Sequence, residues 1–368
     1  MTAMTMNPTL GHLAQQARAQ LQSDDFRRSV AEEWRYTDRS KWPIPVTGSF
    51  PVQWTCSDTV IVRRASETSD DFGAVFGWDV ATLNDQIGAL NTLTSASDAL
   101  IVNGHGQLYL AIGATTPSSV PIVVSVAEGN ELDISLVSTG AVPGHVCIAV
   151  QLAPTARCII NEIQTNSAPL LSSTCLVRQG SESHFEWVGV DRIEGVGIRN
   201  IRVRHEGKAA KTQLTALNLG TGHSQNYIHT HLEHLATDGE SRQLVKSILS
   251  GSAVSEFKGL VYVAPGAQQT DSSQSNQNMV LSDHARALSR PQLSIFADDV
   301  KCAHGATMSQ LDDDQIYYLR SRGISPTEAR AVLMTGFADE VSDQMSLESV
   351  SVFARDAVQK FFETVTAL

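Results

Sequence analysis

Aromatic side chains are scarce: Phe, Tyr and Trp make up 6% of the 368 residues, although hydrophobic residues as a whole reach 42%. A packed interior is therefore expected, filled mainly by Val, Ile, Leu and Ala, which favours stacked strands over a ring-lined pocket. Basic residues are also in deficit, 27 against 39 acidic ones, for a formal charge of −12. Without clustered Lys and Arg there is little to attract a phosphate backbone or an anionic membrane surface, so neither nucleic acid nor membrane is an expected partner. Apolar runs such as Ala99–Val102 and Pro121–Val124 fall far short of the roughly 18 residues that cross a bilayer. The N-terminal segment mixes His12, Gln15, Gln16, Arg18 and Asp24 with no apolar stretch, so no secretory signal is expected and a cytoplasmic location is.

The cysteines, Cys56, Cys147, Cys158, Cys175 and Cys302, are odd in number and form no CxxC. That spacing excludes a disulfide framework and a private zinc site. Cys147, Cys158 and Cys175 lie in or beside Val/Ile/Leu-rich runs and read as small buried hydrophobes. Nucleotide motifs are missing too. Gly207-Lys208 lacks the upstream glycine and the following Ser/Thr of a phosphate loop, and Gly195–Asn200 holds a lone GxG. The chain is not expected to bind ATP itself.

What is present divides into three parts. Residues 1–45 read as helical, with Leu10, Leu13, Ala14, Ala17 and Leu21 at three- and four-residue steps and a stop at Pro43 and Pro45. Over 46–305 the texture changes to short β-branched runs separated by Gly, Ser, Asn, Asp and Pro. In its middle, runs begin near 145, 157, 170, 184, 198, 212 and 225, a loose but steady period. Such intervals leave no space for crossover helices. Between 145 and 240 the only Asn-Gly or Asp-Gly dipeptide is Asp238-Gly239, so hairpins are not signalled either. Steady spacing without hairpins points to a mainly β chain with a β-solenoid core, a β-helix.

Residues 306–368 turn helical again. Asp312, Asp313 and Asp314 open a helix that Arg320, Arg322 and Gly323 close. Ser325, Pro326 and Glu328 form an N-cap, an N1 proline and a capping-box glutamate, with Ala329, Val332, Leu333, Gly336 and Phe337 as the expected apolar face. A last helix places Val350, Phe353, Ala354, Ala357, Val358, Phe361 and Val365 on one stripe. From 311 onward there are ten acids and five bases, so this lobe is acidic. It reads as a docking surface or a cap.

Two places could carry chemistry. Histidines gather at His223, His229, His231 and His234. On a strand His229 and His231 share a face and could ligate a transition metal, with Glu233 or His234 as a third ligand. The plain alternative is a polar face at a turn. The second place is PQLSIFADDVKCAHGAT at 291–307. As a strand it would put Phe296, Asp298, Val300, Cys302 and His304 on one face, with Gly305 ending the strand and leaving Cys302 and His304 near an edge. A thiol beside an imidazole can be stabilised as the thiolate, a better ligand or nucleophile; a structural pair is the alternative. Asp298 and Asp299 would face opposite ways, which excludes a glycosidase-type carboxylate pair.

At these residues the chain resembles a known family. The stretch Gly220–Val341, above all AQQTDSSQSNQNMVLSDHARALSRPQLSIFADDVKCAHGAT at 267–307, is similar to the SufB/SufD family of iron–sulfur cluster assembly proteins, and within it to the SufD branch. EEWRYTDRSKW at 32–42 resembles that family's N-terminal motif. The resemblance implies a right-handed parallel β-helix between helical parts. It implies a non-enzymatic scaffold subunit that pairs with its paralogue SufB at the end of the β-helix and docks the ATPase SufC through the C-terminal helices. His304, with Cys302 beside it, would face SufB and supply a ligand, transient and shared, for the nascent Fe–S cluster. Ala303 stands where many relatives have Ser and should point away from the site. No cofactor would be held stably by this chain alone, and ATP would be bound only by SufC. Without SufB, an exposed strand edge invites a homodimer. Two other readings remain: a structural brace for SufB and SufC without a ligand role, and a β-helix carbohydrate-active enzyme, against which the scarcity of aromatic sugar platforms speaks.

Overall fold

The computed structural model describes residues 52–65, 99–114, 118–140 and 144–366, together with Gln15, Gln16 and Ala19, which are helical. The rest of the predicted N-terminal helical region, including the 32–42 motif, lies outside the described residues. Among those described, the chain opens with β1 (Val52–Cys56), β2 (Val60–Arg64), β3 (Leu100–Gly104), β4 (Gly106–Ala114), β5 (Ser118–Val126) and β6 (Glu131–Gly140). It continues with β7 (Gly144–Leu152), β8 (Arg157–Asn166), β9 (Leu170–Gln179), β10 (His184–Ile193), β11 (Val196–His205) and β12 (Lys211–Gly220). The last six strands are β13 (Gln225–His234), β14 (Glu240–Leu249), β15 (Val254–Val263), β16 (Asp271–Val280), β17 (Arg286–Ile295) and β18 (Lys301–Ser309). Helices α1 (Asp313–Ser321), α2 (Pro326–Ser342) and α3 (Glu348–Thr366) follow.

From β3 onward consecutive strands alternate between two nine-stranded sheets, and each pairs in parallel with the strand two further along. This is the mainly β solenoid expected from the spacing. His184 pairs with Arg157 of the rung before it and with Lys211 of the rung after it, equal steps along the chain. The rung lengthens along the axis: Glu131 pairs with Arg157 near one end, whereas Val254 reaches on to Arg286 near the other. Among the described strands only β1 and β2 pair antiparallel, at the opposite end from β17 and β18. One corner repeats: Thr155, Glu182, Ala209, Asp238 and Gln269 all have φ between 56° and 60°. Their N–H groups bond the next rung, as in Glu182 N–H to Lys208 O at 2.7 Å and Ala209 N–H to Thr237 O at 2.9 Å. Asp238-Gly239 is thus one copy of a rung corner.

The lumen is apolar in its early rungs, where Leu108, Leu110, Ile134, Leu136, Ile148 and Val150 pack together. Two free cysteines serve as core there, Cys158 and Cys175; Cys147, on the other face of β7 from Val146 and Ile148, is buried too, and burial pushes its thiol up to about 12. The interior also takes large rings, since Phe185, Trp187 and Phe257 are fully buried. Gly189 makes the Trp187 ring possible, because a Cβ on it would lie 2.0 Å from the indole. Beside this ring sits a buried ionic group. Arg199 pairs with Glu162 at 2.5 Å, bonds Asp191 from Nε at 3.0 Å, and stacks 4.7 Å from the Trp187 ring centroid. Trp187 in turn donates to Glu162 at 3.2 Å. Burial opposes the Arg199 charge, but Asp191 and Glu162 outweigh it and hold its pKa above the usual arginine value.

Helices α2 and α3 pack on the outer face of the sheet that contains β8, β10, β12 and β14, covering Ile163, Val188, Val190, Leu217, Leu219 and Ile248, and α1 packs against α2. Asp312 caps α1, accepting from Asp314 and Gln315 N–H. Ser325 and Glu328 close the capping box of α2, with Pro326 in its first turn. The buried face of α2 is Ala329, Met334, Ala338, Val341 and Ser342, whereas Val332 and Gly336 of the expected face are exposed. In α3 Phe353 is likewise exposed, and Val350, Ala354, Ala357, Val358 and Phe361 carry the contact. Lys246 on β14 clamps α2: its ammonium pairs with Glu340, donates to Phe337 O at 3.1 Å and lies 4.3 Å from the Phe337 ring centroid. Among the described residues no helix is long and apolar enough to cross a membrane.

Candidate functional site

Parallel in-register strands stack equivalent positions into columns that run along the lumen, about 4.8 Å per step. The column that begins with Cys158 and Phe185 continues through Thr212, Ser241 and Ser272 to Cys302. Its neighbour runs from Ile160 and Trp187 through Leu214, Gln243 and Gln274 to His304. Each column therefore changes from apolar to amide or hydroxyl before ending in a thiol or an imidazole. A third column ends in Asn276 and Ala306, and a fourth in Asn278 and Met308.

Cys302 and His304 are thus on the inward-facing side of β18, the last strand of its sheet. The strand runs on through Gly305 to Ser309, and residues 296–300 form the bend before it, so Phe296, Asp298 and Val300 do not share a strand face with the pair. Neighbouring register, not the local glycine, sets where this strand stops. Cys302 is half-buried against the core cluster, whereas His304, with nothing stacked above it, is exposed. Burial pushes the Cys302 thiol above its usual value; a hydrogen bond from the Ser272 backbone opposes that, and Asp271 adds to it. That direction favours the thiol over the thiolate in the chain by itself. At the same end β17 and β18 each lack a neighbour on one side among the described residues, and Leu288, Ile295, Phe296 and Met308 are exposed around them. An open rung with apolar rim residues is the kind of edge to which another chain can add.

The second candidate group is split by the strand. His229, His231 and Glu233 lie on the outer face of β13, while His234 turns inward, against the expectation that it could join them, and His223 is exposed in the preceding turn. His229 is 3.2 Å from Glu256, and His231 is 2.9 Å from an Arg202 nitrogen. Burial, with Arg202, Lys258 and Arg204 nearby, lowers His231 to about 4. Three cations beside one imidazole disfavour a metal there. Among the described residues no group of three His, Cys, Asp or Glu side chains is placed to hold a metal ion.

The residue spacing gave no signal for the polar lumen beneath the open end. Ser241 donates to Ser272 at 2.7 Å, and Thr230 donates to Gln243 Oε1 at 2.6 Å. Gln274, 2% exposed, has no hydrogen-bond partner at either amide atom among the described residues. The signal was the run DSSQSNQNMV of β16, whose alternate polar residues fill the interior.

The sequence is similar to an iron–sulfur cluster assembly SufBD family protein of Synechocystis, 32% identical over 266 residues, 68% of this chain and 59% of that protein. It is similar to the iron–sulfur cluster assembly protein SufD of Escherichia coli, 36% identical over 151 residues, 41% of this chain and 36% of the relative. The SufD protein of Bacillus subtilis matches at 28% over 172 residues, 47% of this chain and 39% of the relative. The chain spans less than two thirds of the length of each. The family model for the SufBD core domain of SUF system FeS cluster assembly matches residues 113–337, from β4 through the open terminal rung and into α2, and on that match the chain belongs to this family.

Proposed function

We propose that this chain is a non-enzymatic, cytoplasmic scaffold subunit of the SUF system, of the SufD kind, that pairs with a SufB paralogue through the open rung at β17 and β18. His304, with Cys302 beside it, supplies part of a ligand set that the facing subunit completes, and the nascent Fe–S cluster is the cargo of that shared site. The observation that carries the reading is the placement of Cys302 and His304 at the end of two lumen columns, on a strand with an unpaired edge. Imidazole and thiol are suitable ligands for iron and for clusters, and a site split between two chains can release its product when they move. A single imidazole and one protonated thiol are too few for this chain to hold a cluster alone. The helical lobe docks the SufC ATPase, which binds the ATP; exposed Tyr317, Tyr318 and Val332 offer the contact.

The test is co-purification with SufB and SufC followed by iron and sulfide analysis. Wild-type chain is expected to support cluster formation in the complex, and His304→Ala to leave the complex intact while lowering its iron and sulfide several-fold. Unchanged cluster content in that variant would leave only a bracing role.

A further inference from the structure

Gln274 is buried, yet among the described residues neither its Oε1 nor its Nε2 has a hydrogen-bond partner. An unmatched buried amide is costly, so its retention calls for a partner within its reach. The fold makes room for this amide: a Cβ on Gly259, across the lumen, would lie 2.6 Å from Gln274 Nε2. On one side of Gln274 in its column is Gln243, whose Oε1 already accepts from Thr230 and has a second lone pair. On the other side is His304.

We propose that Gln274 is the positioning residue of His304: its amide group donates back to Gln243 Oε1, and its carbonyl accepts the inward-facing N–H of the imidazole. The bond fixes one tautomer and one ring orientation, with the lone pair of the other nitrogen directed out of the open rung. A neutral imidazole used as a ligand needs this arrangement, because the ring nitrogen away from the metal carries the proton and is held by an oxygen acceptor. The functional consequence rests on the reading of His304 as a ligand, but the contact itself does not.

The experiment is therefore made on the full chain without partners. Histidine ring nitrogens are labelled with 15N and the spectrum is recorded near pH 8, with His304 assigned by its disappearance in His304→Gln. A single tautomer is expected in the wild type and in Gln274→Glu, which keeps the oxygen acceptor. Gln274→Met, which removes both polar atoms at similar length, is expected to give a mixture of tautomers while the other histidine signals stay in place. A tautomer mixture in the wild type, an unchanged single tautomer in Gln274→Met, or a switch to the opposite tautomer in Gln274→Glu would each overturn the proposal. A tautomer mixture in the wild type overturns the proposal even if a variant fails to fold. Loss of cluster formation in His304→Ala is a separate outcome, so the two readings fail independently.

Discussion

The imidazoles of His205 and His234 meet edge to face inside the solenoid, on consecutive rungs, with their centroids 4.5 Å apart. His205 shares a hydrogen bond with Thr212 at 2.8 Å, and His234 one with Ser241 at 3.0 Å. Burial holds both rings neutral, lowering His205 well below the ordinary value and His234 to about 4. Buried His145 is also lowered to about 4. A folded-state pKa below the unfolded one means that unfolding takes up protons. Stability is then complete above the unfolded value near 6.5 and falls as pH drops toward 4, by up to about 1.4 kcal/mol per pH unit for each ring. Urea unfolding at pH 7.5, 6 and 5 should show this decline, and His234→Gln should flatten it; equal midpoints across the series would contradict the buried neutral pair.

Arg199 is the cation shared by Glu162 and Asp191, so its removal strands two carboxylates in the lumen. Arg199→Met is expected to cost about 3–5 kcal/mol, while combining it with Glu162→Gln and Asp191→Asn, which neutralises the whole group, recovers most of that loss. Chemical denaturation of the single and triple variants measures both. A mild single-mutant effect would mean that water reaches the cluster.

The helical lobe cannot be removed cleanly, since it covers Val188, Val190, Leu217, Leu219 and Ile248 on the sheet beneath. Surface changes are the sharper probe of docking. Tyr317→Ala with Val332→Ser alters two side chains that are 71% and 51% exposed. The pair should leave the melting temperature within about 2 °C, because exposed substitutions usually shift stability by no more than about 0.5 kcal/mol. Affinity for SufC, measured by calorimetry, should fall at least tenfold. Full retention of affinity would move the docking surface elsewhere.

Thiol chemistry should follow exposure. Cys56 is exposed, Cys302 half-buried and Cys147, Cys158 and Cys175 buried. Alkylation of the native chain at pH 7 is expected to label Cys56 first and Cys302 slowly, with the other three reacting only on unfolding. Addition of SufB should protect Cys302 and leave Cys56 unchanged. Mass spectrometry of the peptides reads the order, and rapid labelling of Cys302 would argue for a thiolate.

The solenoid was legible because its strand starts follow β-branched runs: those beginning near 157, 170, 184 and 225 coincide with the first residues of β8, β9, β10 and β13. The capping box at Ser325 and Glu328 was equally plain, being a local device. Asp271–Val280 was harder to read. Its serines, asparagines and glutamines have the composition of a loop, yet they form a full strand because stacked rungs supply each amide with neighbours above and below. Gly305 misled for a related reason, since its strand limits are inherited from β16. The candidate site residues His304 and Cys302 could be named from their spacing and resemblance. The column beneath them could not, because positions a whole rung apart in the chain, such as Gln274 and His304, become neighbours only once the rung length is known.

The lobe on the outer face gives the solenoid a mechanical property that its rungs lack. A stack in which each rung touches only its neighbours is compliant along its axis, and a push at one rung dies away over the next. Here α2 lies across β10, β12 and β14, while α3 reaches β8 and β10. Asn161 and Thr215, two rungs apart, are tied by hydrogen bonds to Ser346 and Gln344 of the same connecting segment. The helices act as a splint over four rungs. A load applied to them would turn these rungs as one beam, and the open end with His304, two strands beyond β14 in the same sheet, would swing with it.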